Sequence, residues 1–221
     1  NMVPIKNHAN GKLNPKAHFQ VSIRDTMDRQ IAKAKEKGQP VPTWKDEMDF
    51  LHDASANRMI CDPLQLYDCC PFSDGGAALV VTSLEKARHL TDKPVIIAGV
   101  GQGSAGPLPG QKDITIVKSR VFSGQQAYKM AGLEPKDIDV CEIHDCFSIA
   151  EIVAIEALGF FEFGKGSEAT AKGKTKIGGR PAINTSGGLE AKGHPIGATG
   201  AGQVYEIVEQ LRGECGARQV D

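Results

Sequence analysis

Four short apolar runs, each followed by a stretch of helical period, constrain this chain more than any other feature. The runs cover residues 77–81, 94–100, 138–143 and 182–185, and turn residues such as Asp74-Gly75-Gly76 bound them. Runs this short and continuously apolar predict strands buried on both faces. Helical patterns follow over 83–90, 121–131, 148–158 and 199–211, with Gly132, Gly159 and Gly213 standing just past three of the ends, where glycine closes helices. Strands alternating with helices predict an α/β fold with a mostly parallel or mixed sheet covered by helices.

The segment before residue 68 lacks this alternation. Residues 1–19 read as irregular, with turn signals at Asn10-Gly11 and Asn14-Pro15. Residues 23–37 predict a charged helix with Ile23, Met27, Ile31 and Ala34 on one face, broken by Gly38, Pro40 and Pro42. Thr43 and Asp46 have capping-box spacing for a second helix that lines up Trp44, Met48 and Leu51. The two together predict a surface helical hairpin with a solvated charged face.

Composition excludes several function classes. A net charge of −1 over 221 residues and 5% aromatics offer nothing for a nucleic-acid partner. No apolar run approaches the roughly 18 residues of a membrane span, and the polar first ten residues are not a signal peptide. The six cysteines, two of them adjacent at Cys69 and Cys70, form no disulfide framework, so a reducing cytoplasmic home is expected. The chain starts at Asn1 and is expected to be a processed or truncated piece.

Three motifs invite chemistry. Gly101-Gln102-Gly103-Ser104-Ala105-Gly106 fits the dinucleotide pattern G-x-G-x-x-G, but Pro107, Pro109 and Gly110 stand where that site needs a helix N-terminus. It reads as a glycine-rich loop. Cys141-Glu142-Ile143-His144-Asp145-Cys146-Phe147 joins a strand to a helix whose start is marked by the capping-box pair Ser148 and Glu151. A thiol at such a junction, near an imidazole, suits proton transfer. A metal site of Cys141, His144 and Cys146 is the rival, weakened because strand alternation puts Cys141 and His144 on opposite faces; a buried cysteine with a satisfied histidine is the bland alternative. The third motif runs from Asn184 to Gly200 and holds His194 between Gly193 and Pro195. A histidine fixed this way can polarise a carbonyl or activate a thiol.

With these residues in view, the sequence resembles the thiolase family. The resemblance is carried by Gly193-His194-Pro195-Ile196-Gly197-Ala198-Thr199-Gly200, by the block around His144, by Ser73-Asp74-Gly75-Gly76-Ala77-Ala78, by residues 131–139, and by Lys6-Asn7-His8-Ala9-Asn10-Gly11. The His144-Asp145-Cys146-Phe147 form is similar to the sterol-carrier-protein type and to archaeal acetoacetyl-coenzyme A thiolases. The resemblance implies a thiolase-like fold with a partly helical loop domain: residues 1–67 as the remainder of that domain, 68–92 as the last strand and helix of the N-terminal half, and 93–221 as an incomplete C-terminal half. It implies that His194 sits in an oxyanion hole and assists a nucleophilic cysteine, that His144 completes the hole, and that Cys146 is the acid/base of the condensation.

That nucleophile is expected upstream of Asn1, and the family's final strands beyond Asp221, so this chain alone is expected to be inactive. The resemblance implies a coenzyme A thioester as substrate, no cofactor or metal, a homo-oligomer, and the missing N-terminal half as partner. Three functions follow as expectations. They are an acetyl-coenzyme A acetyltransferase, a retro-aldolase or lipid-degrading relative acting on steroid thioesters, and a non-catalytic scaffold binding coenzyme A or a partner.

Overall fold

The computed structural model describes residues 2–107 and 109–220. The chain opens with α1 (Met2–Lys12), where the sequence reads as irregular. Pro4 lies in the first turn, where its missing N–H costs nothing. Seven residues of α1 are buried, four of them the polar Lys6, Asn7, His8 and Asn10. With polar groups on the inward face, no apolar stripe betrays the helix. Gly11 lets α1 approach a later helix, since a Cβ there would lie 2.8 Å from the Ala191 methyl.

The expected charged helix forms as α2 (Ile23–Glu36), capped by reciprocal bonds between Ser22 and Asp25. The next, α3 (Glu47–His52), starts later than Thr43 predicts, because Asp46 is the residue that caps it. Trp44 stays outside the helix; its indole N–H donates to Asp53 Oδ2 at 2.8 Å and its ring meets Phe50 edge-on. Ile23, Met27, Phe50 and Leu51 form a core that Ile5 and Tyr67 flank. An antiparallel hairpin, β1 (Met59–Cys61) with β2 (Leu64–Gln65), follows.

Two of the four expected strands do not form. Residues 77–81 and 94–100 run without helix or ladder, and α4 (Leu84–Leu90) lies between them. Val80 is 92% exposed and Ile96 63%. A parallel strand exists only against neighbours, and among the described residues none pairs with these segments. The glycine-rich loop packs instead on α5 (Lys118–Ala131): Cβ atoms at Gly99, Gly101 and Gly103 would fall within 2.4 Å of the Ala127, Ser123 and Ser119 carbonyl oxygens. The glycine spacing thus lays extended chain along a helix and leaves no phosphate cradle.

The other two strands pair in parallel, but over two residues each: β3 (Val140–Cys141) on β4 (Ala182–Ile183). Behind them come α6 (Ser148–Ala157) and α7 (Gly166–Ala171), and Ile143, Ala154, Ile155 and Ile183 form a second core. After β4, α8 (Gly188–Lys192) interrupts a stretch that reads as loop, and α9 (Thr199–Arg212) ends at left-handed Gly213. The architecture is α/β, helices over small sheets. No described helix is long and apolar enough to cross a membrane.

Candidate active site

The site is built where β3 and β4 end. Beyond β3 the chain turns through His144, Asp145 and Cys146 into α6. The capping box expected of Ser148 and Glu151 is absent: Phe147 occupies the cap position without a side-chain bond. The Ser148 hydroxyl donates to Asp68 at 2.7 Å, and Glu151 turns inward, fully buried, to meet Lys6. Beyond β4, Asn184 takes a left-handed backbone (φ 55°), a conformation asparagine tolerates. Its Oδ1 accepts the Ile143 N–H at 2.6 Å, tying the two strand ends together just before His144.

The two histidines meet. The rings of His144 and His194 stand edge to face with centroids 4.8 Å apart. His194 is buried and His144 exposed. Loss of solvent around the rings lowers the pKa of both; beyond that, Lys192 depresses His194, and the neighbouring imidazole, Arg120 and Lys192 depress His144. Both rings are therefore held toward the neutral form.

His194 has a determined orientation. Its Nδ1 lies 2.7 Å from Thr199 Oγ1, and that hydroxyl donates to the Pro195 carbonyl at 3.0 Å. The single hydroxyl proton is thus committed, so Nδ1 carries the proton of the neutral ring and Nε2 is left as a base. The Arg120 guanidinium holds the backbone, donating to the His144 carbonyl at 3.0 Å and the Ala150 carbonyl at 2.8 Å.

Cys146 is half-buried in the same turn. Its carbonyl accepts the Cys70 N–H at 3.1 Å, and burial pushes the Cys70 thiol up to about 11. Burial likewise pushes the Cys141 thiol up to about 12. Among the described residues the cluster with metal-like spacing is Glu206, Glu209 and Cys215, and there Arg218 already pairs with both glutamates.

Beneath the site lies a polar network absent from the sequence reading. Asp145, Glu151 and Glu190 are at most 1% exposed, and the Lys6 ammonium pairs with Glu151 while acting on the other two only through its charge. The Asn7 amide donates to Asp145 at 2.7 Å and, at longer range, to Glu151 and Glu190. Burial and mutual repulsion push Asp145 and Glu190 well above the usual carboxylate range. The signal that could have shown this was Lys6-Asn7, adjacent polar residues in a segment taken to be loop. Lys192, Gly193, Pro195 and Thr199 also line a cavity of about 490 Å³ together with Lys16 and His18.

The thiolase C-terminal domain-like family matches residues 105–221, more than half of the chain. The chain belongs to the thiolase family. It is 41% identical to an acetyl-CoA acetyltransferase of Methanothermobacter thermautotrophicus over all of this chain and 51% of that one. It is 38% identical to sterol carrier protein 2 of Homo sapiens, over 82% of this chain and 34% of the other. Among solved structures it resembles the Ltp2-ChsH2(DUF35) aldolase with a TM-score of 0.78 and 31% identity, over 97% of this chain and 50% of that one. This thiolase-family chain spans about half the length of the acetyltransferase it matches.

Proposed function

We propose that this chain supplies the histidine–cysteine side of a site that forms or cleaves a carbon–carbon bond in acyl-coenzyme A thioesters, with acetoacetyl-coenzyme A from two acetyl-coenzyme A as the reaction. The observation that carries the reading is the His144–His194 contact, with His194 Nε2 free to act as a base. A cysteine thiol, expected outside these 221 residues, gives its proton to Nε2 and attacks the thioester carbonyl. Coenzyme A leaves as the thiol, carrying that proton. Cys146, acting as the base, then removes a proton from the methyl carbon of a second acetyl thioester. The carbanion attacks the acyl-cysteine, forming the carbon–carbon bond and releasing the enzyme thiolate, which takes back the proton held by Cys146. An N–H of His144 stabilises the oxyanion in each half-reaction, joined by the His194 Nε2–H while that nitrogen holds the proton taken from the cysteine. Lys16 and Lys192 line the cavity beside the site together with Asp74 and Glu206, and the two ammonium groups are the partners there for an anionic carrier. No cofactor or metal is part of this scheme; the cytoplasm and a homo-oligomer are the proposed setting.

A second reading is a retro-aldolase, favoured by the 0.78 TM-score to an aldolase. That chemistry needs a base and an oxyanion hole but no acyl-cysteine. Assays of the complete protein separate the two. Condensation is tested with acetyl-coenzyme A, and cleavage with a β-hydroxyacyl thioester bearing a steroid-like side chain. Turnover of the second substrate alone would replace the first reading, and turnover of neither would leave a coenzyme A- or partner-binding scaffold.

A further inference from the structure

Within the turn between His144 and Cys146, the side chain of Asp145 reaches both α1 and α8. It is fully buried. Its Oδ1 accepts the Leu189 N–H of α8 at 2.8 Å, and its Oδ2 accepts the Asn7 amide of α1 at 2.7 Å. Gly188 makes this approach feasible: its φ is +60°, and a Cβ there would lie 2.2 Å from Asp145 Oδ2. Leu189 is one short helix away from His194, so a single carboxylate ties the turn carrying one imidazole to the segment carrying the other.

We propose that Asp145 is a positioning residue, a clamp between the His144–Cys146 turn and α8 that sets where the two imidazoles meet. The clamp builds on the role given above to His144 and His194, though its geometry stands without it. The donor pattern explains why an acid is needed. Both oxygens accept N–H bonds from opposite sides, and an amide at this position would turn an NH₂ toward either Leu189 N–H or the Asn7 NH₂. A displacement of about 1 Å at a reacting group costs on the order of 10² in rate.

The test uses Asp145→Asn and the exchanged pair Asn7→Asp with Asp145→Asn in the complete protein. The exchange keeps net charge and restores a donor facing an acceptor between positions 7 and 145; the new carboxylate meets Lys6, whose Nζ already lies 2.6 Å from Asn7 Oδ1, but loses the longer donations to Glu151 and Glu190, so recovery is partial. The first readout is the pH midpoint for carbethoxylation of His144, followed by peptide mass spectrometry with exposed His52 and His89 as controls. It should lie below 6.5 in the parent, rise toward 6.5 in Asp145→Asn as the rings part, and fall back in the exchange. The second is kinetic: kcat should drop about 100-fold in the single variant with KM changed far less, and recover to within about tenfold in the exchange. An unchanged His144 midpoint in Asp145→Asn, or an exchange that restores neither readout, overturns the clamp. Should the parent not condense acetyl-coenzyme A, the proposed function fails, while the His144 midpoint still decides the clamp.

Discussion

Lys6 Nζ lies 3.1 Å from Glu151 Oε1, with both side chains out of solvent. This ion pair joins the first helix to α6 under the two histidines, and the same ammonium donates to the Ile183 carbonyl at the end of β4. Breaking a buried pair on one side leaves an uncompensated charge, at a cost of about 3–5 kcal/mol. Lys6→Met should therefore destabilise the fold by that amount, measured by denaturant unfolding, while Lys12→Met, whose ion pair with Asp25 is solvated, should change it by less than about 1 kcal/mol. Equal effects would show that burial of the Lys6 pair is immaterial.

Glu190 is the cluster member able to hold a proton without losing a bond, since its Oε1 has no partner and its Oε2 meets only a 3.3 Å donor. A carboxyl whose folded pKa is raised costs stability as pH climbs from its unfolded value near 4.5 toward the folded one, and the cost persists above it. Glu190→Gln removes that cost. Its melting temperature relative to the parent should rise between pH 5 and pH 8 and converge with it below pH 4.5. A difference that does not vary with pH would mean that Glu190 is ionised in the fold.

His8 acts with the opposite sign. Burial lowers its pKa to about 4, against 6.5 when unfolded. Its contribution to stability is complete above pH 6.5 and is lost as pH falls from 6.5 through 4, up to about 3 kcal/mol. His8→Phe keeps the stacking on Phe19 and has no titration. Unfolding curves at pH 7 and pH 4.5 should therefore differ less for the variant than for the parent; equal differences would place the acid sensitivity elsewhere.

The proposed chemistry separates His194 from Cys146. In the complete protein, His194→Ala should slow both acylation and condensation, by about 10²–10³ for a lost oxyanion donor alone. Cys146→Ala should retain the acylation burst and lose condensation. Thr199→Val frees Nδ1 and should slow acylation more than it weakens binding, because His194 then samples the wrong tautomer. Burst kinetics resolve the steps, and wild-type condensation by Cys146→Ala would make that thiol structural.

Gly101 offers a packing test on α5. A Cβ there would lie 1.9 Å from the Ser123 carbonyl oxygen. Gly101→Ala should lower the melting temperature, whereas Gly200→Ala, with open space around its Cβ, should not. An unaffected Gly101→Ala would mean that this segment does not rest on α5.

Much of this protein was determined by residues three or four apart. The glycine that ends α5 and the one that ends α9 are local chemistry, and each appears where the sequence puts it. The strand-to-helix junction carrying His144 and Cys146 was legible for the same reason, as apolar run, turn and helical period follow in order; the one read at His194 holds an unforeseen helix, so His194 lies between α8 and α9. Tertiary structure decided the rest. α1 is helical because its polar face finds buried partners such as Glu151, 145 residues away from Lys6, and no local pattern encodes a partner that distant. The apolar run at 77–81 has strand composition, yet a strand exists only when another chain segment completes its ladder. The meeting of His144 with His194 likewise required β3 to lie beside β4, with Asn184 and Asp145 bonding across the gap.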